Sequence, residues 1–233
     1  MNILTYVFSS AFLAGAAITV LLTVVSMVLG SLGGLVLAFM CASRFRALRW
    51  FATFYIWLFR GTPVLLQLIF IFNVLPLIGL RFDSLTCAII ALSLNEAAYM
   101  SEILRGGLLG VSPGQRVAAH MLGLSRSQTM FRVVLPQVVR LVLPPTGNQV
   151  IGMLKTSALA SVVAVQDLML VAQRTAAGNF DYVNAIAAAA ILYLLMTTLC
   201  TAGLRWAENH LDTSRKSDRR RRRDRLRIAE EAH

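Results

Sequence analysis

Residues 112–123 read SPGQRVAAHMLG and continue directly into LSRSQTMFRVVLP at 124–136. This polar stretch, with its glycines and prolines, lies between long apolar runs. Ser112 and Gln115 have the spacing of a capping box, and proline stands at the first helical position, where its missing N–H costs least. Gly123 can take the left-handed conformation that commonly ends a helix. The stretch therefore predicts a short, capped helix.

A second short helix is predicted directly after the first. Ser125 and Gln128 repeat the S-x-x-Q start. We expect Leu135-Pro136 to end this helix, because proline cannot continue the regular hydrogen-bond ladder. A plain connector between two apolar segments would need only a few polar residues. Two capped helices in succession therefore indicate a built surface feature.

The chain around this feature has the composition of a membrane protein. Of its 233 residues, 57% are hydrophobic and 14% are charged, against about 25% charged in a typical soluble domain. A bilayer core about 30 Å thick requires roughly 20 mostly apolar residues per helix. Five segments meet this requirement: 15–40, 62–80, 85–104, 134–154 and 183–204. We therefore predict an all-α membrane protein with about five transmembrane helices.

The distribution of basic residues predicts the orientation. Arg44, Arg46 and Arg49 follow the first span and nothing basic precedes it, so the positive-inside rule places the N-terminus outside and the C-terminus in the cytoplasm. The same absence argues against a cleaved signal peptide. The capped loop at 105–132 then falls inside, and the connection at 155–182 falls outside.

A basic tail follows the last predicted span. Arg215–Arg227 holds nine Lys or Arg against two Asp. We expect residues 207–233 to be a solvated cytoplasmic tail that fixes the topology and contacts anionic membrane lipid. Nucleic-acid binding is the alternative. No aromatic residues are interleaved with the arginines, so no nucleic-acid partner is predicted.

Aromatic residues precede the second predicted span. Residues 50–59 read WFATFYIWLF, and large rings of this kind suit the headgroup region of a bilayer. We expect this segment to lie along the inner membrane surface until Arg60-Gly61-Thr62-Pro63 breaks it.

Polar side chains occur inside the third predicted span. Asn95, Tyr99 and Glu102 stand at i, i+4 and i+7 on one helical face, with Glu96 beside them. Glu96 falls near mid-depth, where an ionised carboxylate is costly. Glu96 is therefore a candidate for a substrate pathway, together with Asn95 and Tyr99 beside it, and a buried structural network is the alternative. Glu102 is a further candidate for that pathway, although it can also pair with Arg105 at i+3.

The fourth predicted span contains Pro144-Pro145, followed by the polar residues Asn148 and Gln149. We expect a break in the helix at the prolines, and broken polar helices near the membrane middle form substrate sites in many transporters. Asn148 and Gln149 are therefore further candidates for the substrate pathway. A kink stabilised by neighbouring helices is the alternative.

Catalytic and metal-binding patterns are absent from the sequence. It contains no G-x-x-x-x-G-K-[ST] phosphate loop, so the chain is not itself an ATPase. No nucleophile and base stand at a recognisable spacing, and no catalytic residue is predicted. Cys41, Cys87 and Cys200 are odd in number and lack CxxC spacing, so they predict neither a disulfide framework nor a metal site.

The spacing within the capped loop is itself specific. Ala118-Ala119 are followed by three residues, Gly123, nine residues, Val133, one residue and Leu135-Pro136. This spacing resembles the hallmark EAA loop of permease subunits in ATP-binding-cassette importers. Val117 stands where that family usually has Glu, so any ion pair made by the Glu is absent.

Four other segments resemble the polar amino-acid branch of that family, whose members carry histidine, glutamate, glutamine, arginine or opines. These segments are FRGTPVLLQ at 59–67, NEAAYMSEILRGGL at 95–108, GQRVAAHMLGLS at 114–125 and MLKTSALASV at 153–162. The resemblance implies a type I permease fold, with a transmembrane domain over 11–206 and a cytoplasmic coupling loop at 106–135.

The resemblance also implies partners. Permeases of this family reside in the bacterial inner membrane, pair with an identical or homologous permease, and receive substrate from an extracytoplasmic binding protein. Two ATPase subunits drive them and use ATP and Mg, so no cofactor is expected on this chain. The residues implied to contact the ATPase are Gly114, Gln115, Val117, Ala118, Ala119, Met121 and Gly123.

A stand-alone secondary transporter or channel is the alternative, although five spans do not divide into equal inverted halves.

Overall fold

The computed structural model describes residues 2–211, and every regular element in this range is helical. Ten α-helices follow one another: α1 Ile3–Val7, α2 Ser10–Cys41, α3 Arg46–Gly61, α4 Val64–Val74, α5 Ser84–Gly110, α6 Pro113–Met121, α7 Arg126–Thr129, α8 Leu135–Thr156, α9 Leu168–Asn179 and α10 Tyr182–Leu211. Short 3₁₀ turns cover Leu75–Ile78 and Ser157–Val163, and a π-helical turn covers Met130–Val134.

Three of these helices, α2, α5 and α10, are each long and apolar enough to cross a bilayer. Two bent pairs raise the number to five if each pair forms one span. In the first pair, α3 meets α4 and its 3₁₀ extension at 102°. The break lies at Thr62-Pro63, as the sequence predicts, and it separates the aromatic helix from the apolar one. The predicted all-α membrane fold is confirmed.

The most extensive helix contact among the described residues is between α2 and α5. A Cβ atom added at Gly30 would lie 2.5 Å from Cβ of Glu96, and one at Gly34 would lie 2.7 Å from Cβ of Met100. Glycine is therefore required for the two backbones to approach this closely. Because Gly30 and Gly34 meet α5 in the same order along the chain, the two helices run parallel and their C-terminal ends lie on one side of the protein.

The capped loop folds as two short helices, with one difference in detail. Gly123 has φ +76°, and the N–H groups of Gly123 and Leu124 donate to the carbonyls of His120 and Ala119, which is the Schellman arrangement. Ser125 forms the predicted capping box with both hydrogen bonds present. Ser112 precedes the first helix, but its side chain makes no capping hydrogen bond, so that predicted box is wrong.

The two predicted helix ends at prolines are also wrong. One helical run extends from Arg126 to Val163, through Pro136 and through Pro144-Pro145. At Pro136 the regular ladder is replaced by a π-helical turn, and the side-chain amide of Gln137 donates to the carbonyl of Val133 at 2.9 Å.

The helix continues at Pro144-Pro145 because the φ angle of proline is compatible with helical geometry. What proline removes is the N–H donor to the carbonyl four residues earlier. The two carbonyls that lose their donors belong to Arg140 and Leu141, and both residues are exposed. The lost hydrogen bonds therefore fall on a surface of the chain and leave its packed interior intact.

The connection predicted at 155–182 is largely helical, and one side of it is buried. It contains the 3₁₀ turn and α9, whose Ala172 and Ala176 are completely buried. The N–H of Leu168 donates to the hydroxyl of Thr19 in α2 at 3.2 Å. The helix α9 has only twelve residues and no long apolar run. The sequence therefore gives no sign of a membrane-spanning segment here.

The last helix passes the expected domain boundary at residue 206 and continues to Leu211. Residues 207–211 of the predicted tail therefore belong to α10, and the rest of the tail, including Arg215–Arg227, lies outside the described residues.

We predict that Gly30→Ala destabilises the protein, because its methyl group would overlap Glu96. Overpacking of this kind costs about 1–3 kcal/mol, so the apparent melting temperature of the purified protein should fall. Gly203→Ala is the matched control, since a Cβ there has no atom within 4 Å. Equal melting temperatures for the two variants would show that the α2–α5 contact is not as close as described.

Candidate substrate cavity and coupling surface

A polar cavity of about 520 Å³ lies where the α3–α4 break meets α5 and α8. Its wall consists of Arg60–Val64 at the break, Asn95, Glu96 and Tyr99 of α5, and one face of α8 that presents Gln149, Gly152, Met153 and Thr156. Four of the six predicted pathway residues therefore share one cavity, although they come from two helices far apart in sequence.

Glu96 is the buried carboxylate of this cavity, and only 1% of its surface is exposed. Its Oε2 accepts a hydrogen bond from Nε2 of Gln149 at 3.0 Å. Its Oε1 has no hydrogen-bond partner among the described residues. Gly30 lies against the aliphatic part of the side chain and holds the carboxylate toward α8. One carboxylate oxygen is thus positioned by Gln149, and the other is buried without a partner among the described residues.

Asn95 repairs the backbone at the α3–α4 break. The carbonyl of Phe59 would normally accept from the N–H four residues later, but that residue is Pro63 and has no N–H. Nδ2 of Asn95 donates to this carbonyl at 3.0 Å, and Nε2 of Gln67 donates to it at 2.9 Å. Asn95 Nδ2 also donates to Gln67 Oε1 at 3.1 Å. Two amides therefore replace the missing helical hydrogen bond.

Gln67 and Arg60 are site residues that sequence reasoning missed. The sequence signal for Gln67 was a polar residue within the apolar span 62–80. The structure shows that Gln67 is buried. The Arg60 guanidinium carbon lies 5.3 Å from the centre of the Tyr99 ring, at the edge of the cavity. A cation at this edge and a carboxylate inside give the cavity two opposite charges.

Glu102 lies next to the cavity but does not form its wall. Its carboxylate accepts from Nε and Nη2 of Arg105 at 3.0 and 2.7 Å, so the predicted i+3 pair is confirmed. Arg60 approaches the same carboxylate at 3.6 Å. Glu102 therefore holds the α3–α4 break to α5 through an ion pair.

Asn148 is exposed on the surface of the single chain and does not line the cavity. It is one residue from Gln149, which corresponds to a rotation of about 100° around the helix. The unbroken course of α8 explains this separation, since it turns Asn148 away from the cavity face that Gln149 occupies.

The short helix α6 presents an apolar ridge. Val117 and Met121 stand at i and i+4 and are 61% and 86% exposed. The same side of α6 includes exposed Gly114 and Ala118, and Gln115 is also exposed. Exposed apolar side chains on a capped helix outside the long apolar segments are typical of a surface that binds another protein.

Ala119 does not belong to this ridge. It is 3% exposed and lies about 200° around the helix from Val117. The helix α6 packs on α7 and on the π-helical turn, and Ala119 belongs to the buried side of α6. The small side chain of Ala119 allows α6 to pack closely within the loop, and Gly123 ends α6. Both residues therefore support the ridge, but neither belongs to its exposed surface.

Helices that cross a bilayer, a polar cavity within them and an exposed docking helix between two of them define a membrane transport protein. Residues 34–214 match the family described as "Binding-protein-dependent transport system inner membrane component". The chain belongs to this family of transport permeases, which is not a family of enzymes.

Individual relatives agree with this assignment. The arginine transport system permease protein ArtQ of Bacillus subtilis strain 168 is 37% identical over 81% of this chain and 87% of its own length. The L-cystine transport system permease protein TcyB of the same organism is 37% identical over 85% of each chain. A putative glutamine transport system permease protein GlnP of Rickettsia bellii is 35% identical over 86% of this chain and 92% of its own.

Solved structures confirm the fold. A chain of an amino acid ABC transporter, crystallised with histidines, superposes with a TM-score of 0.84 at 34% identity, over 90% of this chain and 99% of that one. A chain of the MetNI methionine ABC transporter in an inward-facing conformation has a TM-score of 0.73 at 17% identity, over 86% of this chain and 96% of that chain. The second similarity concerns the fold alone.

We predict that a cysteine at Gln149 reacts with a water-soluble thiol reagent, because Gln149 lines the cavity. The background would lack Cys41, Cys87 and Cys200. Leu154→Cys, on the same helix but 2% exposed, is the control and should react slowly. Protection of position 149 in both the resting and the ATP-bound complex would mean that water does not reach the cavity.

Proposed function

We propose that this chain is the permease subunit of an ATP-driven importer for a polar amino acid or a related small solute. One observation carries the proposal: the cavity and the docking ridge are joined by the same two helices. The loop at 106–135 is held by α5 at one end and by α8 at the other, and these two helices supply Glu96 and Gln149. The transmembrane domain in this proposal covers 11–206.

The chemistry of the cavity supports an amino acid as the substrate. Glu96 Oε1 has no partner among the described residues, and the carboxylate can accept a hydrogen bond from an ammonium group of a bound substrate. Such charge-assisted hydrogen bonds are among the stronger ones in proteins. Arg60 at the cavity edge can attract a carboxylate. The names of the relatives refer to arginine, cystine and glutamine, all of which carry both groups.

The coupling mechanism follows from the stiffness of the loop. We propose that the ridge of Val117 and Met121 inserts into a cleft of an ATPase subunit. The capped helix α6 then moves as one body, because its C-terminus is fixed by the Schellman hydrogen bonds. The unbroken helical run Arg126–Val163 carries that displacement to Gln149 in the cavity. A flexible loop would absorb the same movement.

The proposed complex contains two ATPase subunits, which use ATP and Mg, and a second permease that is identical or homologous. Asn148, exposed on this single chain, is proposed to face the passage between the two permeases. The N-terminus lies outside, where an extracytoplasmic binding protein delivers substrate, and the C-terminus lies in the cytoplasm. The basic residues beside α2 and in the loop at 105–132 support this orientation through the positive-inside rule.

The ridge can be tested with Val117→Asp and Met121→Asp. Each change places a charge in an apolar contact, where an unpaired charge is strongly unfavourable, so the ATPase should co-purify with the permease in much lower yield. Neither side chain is buried in the permease, and its melting temperature should therefore be unchanged.

Phe180→Asp is the matched control for this experiment. Phe180 is apolar and 87% exposed, but it lies between α9 and α10, outside the loop, so attachment of the ATPase should be normal. Normal attachment and normal transport in both ridge variants would remove α6 from the coupling mechanism.

The substrate role of Glu96 can be tested with Glu96→Gln. The substitution keeps the size of the side chain and removes its charge, so uptake of labelled cationic and neutral amino acids by the reconstituted complex should fall at least tenfold, while assembly persists. Asp83→Asn changes an exposed N-cap carboxylate to an amide and should leave uptake unaffected. If the Glu96 variant transports arginine, cystine and glutamine at normal rates, Glu96 is not part of the substrate site.

A further inference from the structure

An apolar groove of about 470 Å³ lies between α2, α3 and α5. Leu29, Gly33 and Leu37 of α2, Phe51 of α3 and Ile90 of α5 are among the residues that line it. The hydroxyl of Tyr55 donates to the carbonyl of Leu94 at 2.8 Å, which ties α3 to α5 and fixes the width of the groove. The groove is therefore a property of the folded chain.

The groove opens away from the substrate cavity. Ser93 and Ala97 of α5 line the groove, whereas Asn95 and Tyr99 line the cavity. Residues two positions apart on an α-helix point about 200° apart, so the two spaces lie on opposite faces of α5. The occupant of the groove is thus separate from the transported solute.

The length of the groove matches one leaflet of a bilayer. Its residues on α2 run from Leu29 to Met40, which corresponds to about 16 Å of helix. Half of a hydrocarbon core is about 15 Å thick. A single acyl chain that lies along α2 would fill the groove from the membrane surface to mid-depth.

Three exposed arginines lie in the chain segment that connects two groove-lining residues, Met40 and Phe51. Met40 lies near the end of α2 and Phe51 lies in the second turn of α3, and the connection between them contains Arg44, Arg46 and Arg49, all exposed. Within residues 2–211, no carboxylate lies within ion-pair distance of any of these arginines. An exposed basic segment that adjoins an apolar groove along the chain is complementary to an anionic headgroup with an acyl chain.

We propose that this groove is a binding site for one anionic phospholipid. One acyl chain lies between α2, α3 and α5, and the phosphate binds the arginine cluster, which is formed by Arg44, Arg46 and Arg49. Bound in this way, the lipid joins α3 to α2 on the side opposite the cavity and supports the angle at which α3 meets α4.

The test uses the complete complex reconstituted in nanodiscs of phosphatidylglycerol with excess phosphatidylcholine. After extraction in mild detergent, native mass spectrometry should show phosphatidylglycerol retained on the permease in preference to phosphatidylcholine. Replacing all three arginines with Gln should lower this retention by roughly fivefold per arginine, the attraction expected for a basic side chain at an anionic surface. The matching triple Lys variant should retain the lipid.

A second variant tests the acyl-chain part of the site. It leaves the three arginines, which also determine the membrane orientation, unchanged. Ser93→Phe places a ring in the groove and should also abolish retention. Leu32→Phe, on an exposed position of α2 outside the groove, is the control and should retain the lipid. The proposal is overturned if Ser93→Phe retains as much phosphatidylglycerol as Leu32→Phe, or if phosphatidylcholine is retained equally.

A second permease is the competing occupant of the groove. Val36 lines it and is exposed. A cysteine at this position, in a background without other cysteines, should remain monomeric on oxidation if lipid fills the groove. A disulfide-linked permease dimer would overturn the lipid site and would leave the transport proposal unaffected, since the substrate cavity lies on the other face of α5.

Discussion

The contact between α2 and α5 is the constraint on which the other features depend. Within a bilayer, helices gain nothing from the hydrophobic effect when they associate, so close packing of small residues has to hold them together. Gly30 and Gly34 provide that packing. It fixes the rotation of α5, which determines that Asn95 and Tyr99 face the substrate cavity and that Ser93 and Ala97 face the groove. The cavity and the groove are two results of one helix contact.

Signals carried by adjacent residues could be predicted from the sequence. The apolar runs identified the long helices, Gly123 identified the helix stop, and the i+3 spacing identified the Glu102–Arg105 pair. The spacing of the loop also identified the protein family. Each of these features depends on residues within a few turns of one another, and that is the range over which helical geometry is fixed.

Features that depend on distant residues could not be predicted in this way. The helix continues through Pro144-Pro145, and the two residues whose carbonyls lose a donor, Arg140 and Leu141, are exposed, which is a property of the assembled fold. Ala119 resembles an exposed docking residue in the sequence, but the packing of α6 on the π-helical turn places it inside. The helix α9 is short and alanine-rich, and only its neighbours α2 and α10 show that it belongs to the core.

The break between α3 and α4 also restricts how this protein can evolve. Pro63 removes one backbone donor, and the amides of Asn95 and Gln67 together replace it at the carbonyl of Phe59. Loss of either amide removes one of the two hydrogen bonds to the carbonyl of Phe59. If another residue replaced the proline, its backbone N–H could donate to that carbonyl and neither amide would be needed there. The three positions are therefore expected to evolve together, although they are up to 32 residues apart in the sequence. A substitution at one of these positions is expected to persist in a lineage only when the other two positions are substituted as well.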